Sequence, residues 1–157
     1  VTTALRSEMP SPRGWSWKLV RGWYTAEGSR HIWGKAEAVA ILASPGASDR
    51  AEIWMTGFLP NPAPATANRL EVSCNGIPVG EVISRKRGML EFDVRFPLVP
   101  GTASAFCLEF RTEKCYCPTA EGDSPDVRKL GFALRKLAIA PKSASRFRSI
   151  WGKLMRT

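Results

Sequence analysis

The chain is poor in the residues and patterns that carry catalysis. His31 is the single histidine among 157 residues. Asp49, Asp93, Asp123 and Asp126 are scattered, so no sequence pattern gives His31 the positioned partner that acid–base chemistry needs. No Gly-x-Ser-x-Gly elbow, phosphate-binding loop or His-Glu-x-x-His pair occurs. An enzyme is therefore not expected. No apolar run reaches the roughly eighteen residues of a membrane-spanning helix. Residues 1–12 lack the basic-then-apolar layout of a secretory signal, and the chain opens on Val1 rather than Met, as a processed or excised piece does.

Cysteine is also scarce. Of the four, Cys74 and Cys107 lie in apolar, strand-like runs and are expected to be small core residues. Cys115-Tyr-Cys117 has one intervening residue and no Cys or His pair at zinc-site spacing. Neither a metal nor a cofactor is expected, and reduced thiols in the cytoplasm are the expectation. The formal net charge is +9. Five of the basic side chains crowd into residues 142–157 without one acid, so the rest is only mildly basic. With no recognisable nucleic-acid motif and no basic–aromatic interleaving in the body, nucleic acid is not an expected partner.

Against these absences stands one dense stretch, Arg21-Gly-Trp-Tyr-Thr-Ala-Glu-Gly-Ser-Arg-His-Ile-Trp-Gly34. It reads as an irregular, aromatic-rich opening that feeds a strand. Trp23, Tyr24, Glu27, His31 and Trp33 bring together groups that suit a sugar. An aromatic ring stacks on the C–H face of a pyranose, and carboxylates and amides bind its hydroxyls. The competing assignment makes Trp23 and Trp33 core residues, with Glu27 paired to Arg30 or capping a turn.

The rest reads as short strands. A weak alternation over 15–20 predicts an edge strand, and 36–43 and 52–59 predict two more. The proline-rich run 60–68 predicts a loop. Leu70-Glu-Val-Ser-Cys74, then Asn75-Gly76, then 77–83 predict a hairpin, because both turn residues tolerate positive φ. Arg85-Lys-Arg-Gly88 reads as a basic turn. Strands follow at 89–96 and 103–110, with an irregular loop at 111–124. Residues 126–140 admit a helix with Leu130, Leu134 and Leu137 on one face. The favoured alternative is a turn at 126–130, where Asp126, Arg128 and Gly131 set a corner and an ion pair, followed by a final strand. Together these predict an all-β fold: a single antiparallel β-sandwich over 15–141, preceded by a mobile lead-in at 1–14.

The tail differs. Phe147, Ile150, Trp151, Leu154 and Met155 recur at helical spacing, with Arg146, Arg148 and Lys153 among them. A short C-terminal amphipathic helix is expected. The tail admits three readings: a helix lying on an anionic membrane surface, a helix docking on a partner protein, or a helix folded back on the sandwich or a disordered end.

Three elements, in order, carry a family resemblance: Gly22-Trp-Tyr with Glu27 and Trp33; Val72-Ser-Cys-Asn-Gly76; and Asp126-Val-Arg-Lys-Leu-Gly131 with the apolar run to Ile139. The set resembles a small β-sandwich accessory domain fused to bacterial glycosyltransferases and other cell-surface polysaccharide proteins. In this chain His31-Ile32 stands where that pattern has a basic residue beside the Trp. The resemblance implies a jelly-roll-like, non-catalytic module that contacts carbohydrate or its parent enzyme. The alternative is an assembly subunit that packs its sandwich and basic tail on a larger complex at a membrane face.

Overall fold

The structure, a computed structural model, describes residues 3–4, 17–24, 31–43, 51–62, 66–98 and 105–141. Nine strands occupy them: β1 (Thr3–Ala4), β2 (Trp17–Trp23), β3 (Ile32–Ala43), β4 (Ala51–Asn61), β5 (Asn68–Cys74), β6 (Ile77–Ser84), β7 (Gly88–Leu98), β8 (Ala105–Thr112) and β9 (Phe132–Pro141). Every pairing is antiparallel. No helix occurs among the described residues. The expected C-terminal helix, the remainder of the lead-in and Glu27 all lie outside them.

Hydrogen bonding runs in the order β6-β5-β8-β3-β9-β4-β7, with β2 added on β3 and β1 on β2. One strand serves two layers. The first part of β3, Ile32–Gly34, pairs with β9, and the rest, Glu37–Ala43, pairs with β8. The sheet folds over at this corner. β6 then lies against β7, and β4 lies near β5 and β6. The arrangement is sandwich-like, with one apolar core between the layers, contributed by β2 through β9.

The alternation that predicts these strands also fills the core. Leu70, Val72 and Cys74 of β5, Ile53, Met55 and Leu59 of β4, and Leu108 and Phe110 of β8 all point inward and are buried. Burying such side chains contributes about 1.5–3 kcal/mol each. The Asn75-Gly76 hairpin forms as its sequence predicts, with φ of 50° and 82°. Residues 132–141 are strand, as the favoured reading of that segment has it.

Two boundaries differ from expectation. The aromatic stretch is less irregular than its composition implies: β2 extends to Trp23 and β3 begins at Ile32. β4 also runs on through Pro60 and Asn61, where a loop is predicted. The physical reason is local. β9 stops pairing with β4 at Phe58↔Ala133, so Pro60 removes no N–H that β9 needs. Asn61 and Asn68 then tie the turn together. Asn61 Nδ2 donates to the carbonyls of Thr66 and Ser84 at 3.0 and 3.1 Å, and Asn68 Nδ2 donates to Pro60 O at 2.7 Å.

Two bulges shape the surfaces. Trp23 faces Gly34, yet Arg21 faces Val39, so β3 carries four residues where β2 carries Gly22 alone. A Cβ on Gly22 would stand 2.0 Å from Glu37 O, and its φ is +81°. Only glycine meets both conditions without strain. In the second bulge, Thr56 faces Lys136 while Gly57 faces Leu134, leaving Arg135 without a partner. Leu134 and Leu137 are both buried, so Arg135 and Lys136 turn outward side by side.

Candidate functional site

Trp23, beside the corner bulge, is turned away from the other candidate aromatics. Trp23 sends its ring into the core. It packs edge-on against Phe110 and Phe132, with centroids 5.7 and 5.4 Å away, and its Nε1 donates to Val39 O at 2.9 Å. Tyr24 is turned toward the segment before β9. Its hydroxyl donates to Lys129 O at 2.9 Å and accepts from Lys129 N at 3.2 Å. Lys35 and Arg128 stand over its ring at 5.4 and 5.3 Å. Arg128 in turn pairs with Asp126 at 2.8 Å, the ion pair that the sequence predicts at this corner. Gly131 allows the segment to close, since a Cβ there would meet Lys35 O at 2.4 Å.

His31 and Trp33 lie on the outer face of the β9-β4-β7 layer. Trp33, Ala133 and Phe58 form one row across β3, β9 and β4. The His31 ring makes T-shaped contacts with both flanking aromatics, 5.6 Å from Trp33 and 5.9 Å from Phe58. Both aromatic rings are half-buried. Arg135 lies over Phe58 at 4.3 Å and pairs with Glu91 of β7 at 2.8 Å. The bulge thus delivers a guanidinium beside the aromatic row, and Glu91 holds it there. Burial first, and the Arg135 charge second, lower the pKa of His31 from its ordinary value. The imidazole is neutral at neutral pH and offers one donor and one acceptor.

Farther along β4, Trp54 is already engaged. Arg95 from β7 and Lys136 from β9 stand over its ring at 4.1 and 3.5 Å. Its Nε1 donates to Asp93 Oδ1 at 2.8 Å, and Arg95 pairs with the buried Glu52 at 3.0 Å. With cations on it from both neighbouring strands, Trp54 has little open ring to offer a ligand. Trp33, whose ring contact among the described residues is a T-shaped one with His31, is the better platform.

The structure therefore brings His31 and Trp33 together and turns Trp23 into the core; Tyr24 neighbours Trp33 through the backbone, its N donating to Trp33 O at 2.9 Å, but its ring is covered by Lys35 and Arg128. Sequence reasoning misses Phe58, Arg135 and Glu91. The alternation of β4 carried a signal: Ile53, Met55 and Leu59 face inward, which sends Trp54 and Phe58 outward. Arg135 and Glu91 come from distant strands and have no local signal. The tail residues Arg146, Phe147, Arg148, Ile150, Trp151, Lys153, Leu154 and Met155 lie outside the described residues.

All four cysteines are free. Burial, then the neighbouring Cys107, push the Cys74 thiol up to about 11. Among the described residues, no group of His, Cys, Asp and Glu is placed to hold a metal ion.

No protein-family model matches the chain, and no curated protein matches it. Among solved structures it is similar to the CBM36-1 domain of a multidomain xylanase from the hindgut metagenome of Trinervitermes trinervoides. The identity is 7%, over 92% of this chain and 98% of that one, with a TM-score of 0.40. At that score the likeness carries no argument about function, which rests on the chain's own residues.

Proposed function

We propose that this protein is a non-catalytic binding module that takes a saccharide on the outer face of the β9-β4-β7 layer. The observation that carries the reading is the row Trp33–Ala133–Phe58, bridged by a neutral His31 and flanked by the Arg135–Glu91 pair. Trp33 supplies a face for the C–H surface of a pyranose. Arg135 donates to ring hydroxyls, and Glu91 accepts from them. The two are already held by each other and by Phe58, which lowers the ordering cost of binding. The ion pairs of this face, Arg135–Glu91 and Arg95–Glu52, leave it close to electrically balanced, which favours a neutral sugar.

The finer setting is a bacterial surface-polysaccharide system, in which the module accompanies a glycosyltransferase or a related parent protein. It rests on the sequence resemblance of the Gly22-Trp-Tyr, Asn75-Gly76 and Asp126-to-Gly131 elements. In the same reading the chain is cytoplasmic, and its basic tail attaches it to a partner protein or to the membrane periphery.

The test is a glycan-array screen of the full chain at high salt, which suppresses attraction of acidic glycans to the tail. The expected result is a hit that Trp33→Ala removes while the circular dichroism spectrum stays unchanged. A blank array from folded protein moves the weight to the assembly-subunit reading, and a hit indifferent to Trp33→Ala and Phe58→Ala removes the aromatic row as the binding site.

A further inference from the structure

The opposite layer carries a concavity on its own outer face. A groove of about 310 Å³ is lined by Arg21 of β2, Glu37 of β3, Glu109 and Arg111 of β8, and Glu71 and Ser73 of β5. Val39 and Pro78 add apolar surface. The volume is at the lower end of the range for small-molecule sites, about 300–1,000 Å³.

Register explains how these groups converge. Glu37, Arg111 and Glu71 lie in one row across β3, β8 and β5. Val39, Glu109, Ser73 and Pro78 make the next row, and the corner bulge brings Arg21 opposite Val39. Glu71 and Glu109 are thus diagonal neighbours, close enough for one ligand group to meet both. Arg111 and Glu37 approach to 3.7 Å. Among the described residues, Arg21, Glu71 and Glu109 make no ion pair.

An unpaired charge on a convex surface needs no explanation. Three of them, of both signs, lining one concavity supply strong donors and acceptors together. Hydroxyl groups, which donate and accept, complement such a set; an apolar or purely anionic ligand does not. The charge count refines the ligand. Three carboxylates face two guanidiniums, so the groove has an excess negative charge on a chain of net +9. We propose that this groove is a second saccharide site, and that it takes a sugar unit bearing a free, protonated amine. The amine lies between Glu71 and Glu109, and Arg21 and Ser73 meet the hydroxyls. The inference borrows the class of ligand from the saccharide reading above but uses none of the same residues.

The probe is methyl glucosaminide, titrated into the full chain and followed by amide NMR shifts, with its N-acetyl form and lysine amide as controls. The expected result is saturable shifts at Ser73, Glu109 and Glu71, and about tenfold weaker binding of the N-acetyl form, which lacks the charge. Glu109→Gln and Glu71→Gln, both exposed and nearly isosteric, should each weaken binding about fivefold or more. Trp33→Ala should leave it unchanged. Equal binding of the N-acetyl form, equal binding of lysine amide, or shifts absent from Ser73 and Glu109 overturns the groove. Gln variants that bind like the parent also overturn it. Binding lost in Trp33→Ala but intact in Glu109→Gln puts the amino sugar on the aromatic face; a Trp33-dependent array hit with no groove shifts removes the groove alone.

Discussion

The two outer faces are built from similar side chains and use them in opposite ways. On the β9-β4-β7 face the charges are spent within the protein. Arg135 is held by Glu91 and Phe58, Arg95 by Glu52 and Trp54, and Lys136 lies on Trp54. What remains unengaged is a ring, with the held Arg135–Glu91 pair beside it. On the opposite face Trp23 and Phe110 pack inward, and among the described residues Arg21, Glu71 and Glu109 are left to whatever enters the groove. Composition is therefore a poor guide to a binding surface. The informative question is which polar groups the fold has already satisfied.

Removing Trp23 should break both faces at once, because its ring fills the corner that joins the layers. Trp23→Ala is expected to cost about 3–4 kcal/mol in urea denaturation. Trp33→Ala, on the outer face, should cost less than about 1 kcal/mol. Near-equal costs would show that Trp33 is also a core residue and would weaken the saccharide platform.

Gly57→Ala should act on one face. Its Cβ would stand 1.9 Å from Ala133 O, so the bulge that turns Arg135 and Lys136 outward has to shift. A loss of about 2–3 kcal/mol is expected. Gly76→Ala, in open space but at φ +82°, should lose only about 1 kcal/mol. Amide shifts in Gly57→Ala should spread over β4 and β9 and spare Glu71 and Glu109; changes centred on the groove would contradict this division.

The ion pairs give a smaller contrast. Arg95→Ala leaves the buried Glu52 without that partner and should cost about 1–2 kcal/mol. Arg111→Ala removes an exposed pair, with side chains 69% and 76% accessible, and should cost under about 0.5 kcal/mol. Thermal melts of the two variants, read against the parent, check the order.

The smallest effect is on pH. The folded-state pKa of His31 lies below its unfolded value of 6.5. The unfolded chain therefore binds the proton more readily between the two values. This contribution to stability is complete above about pH 6.5 and is lost as pH falls through the folded-state value. An imidazole NMR titration should show the low midpoint, and Arg135→Ala should move it part of the way back. A midpoint at or above 6.5 in the parent would remove the burial assigned to His31.

Much of this architecture is legible in the chain. Period-two alternation marks β4, β5, β7 and β8, and Asn75-Gly76 marks its turn, because both signals are local. The candidate site is legible only in part. His31 and Trp33 are two residues apart and share a face, as strand geometry requires. Phe58, Arg135 and Glu91 join them from other strands, through pairings that no short window reveals. Strict alternation across β9 would turn Lys136 inward and Leu137 outward; the bulge opposite Gly57 reverses both.

What the sequence determined by itself was the set of strands, the hairpin and the supply of apolar side chains for one core, since these follow from local backbone preference and side-chain period. Which tryptophan went inside was decided by the tertiary structure. Gly22 and the bulge beside it carry Trp23 into the corner between the layers, while the same β3 strand, paired there with β9, leaves Trp33 on the outside. Sheet register and a close backbone approach between distant residues set that difference, and neither is a property of any short segment.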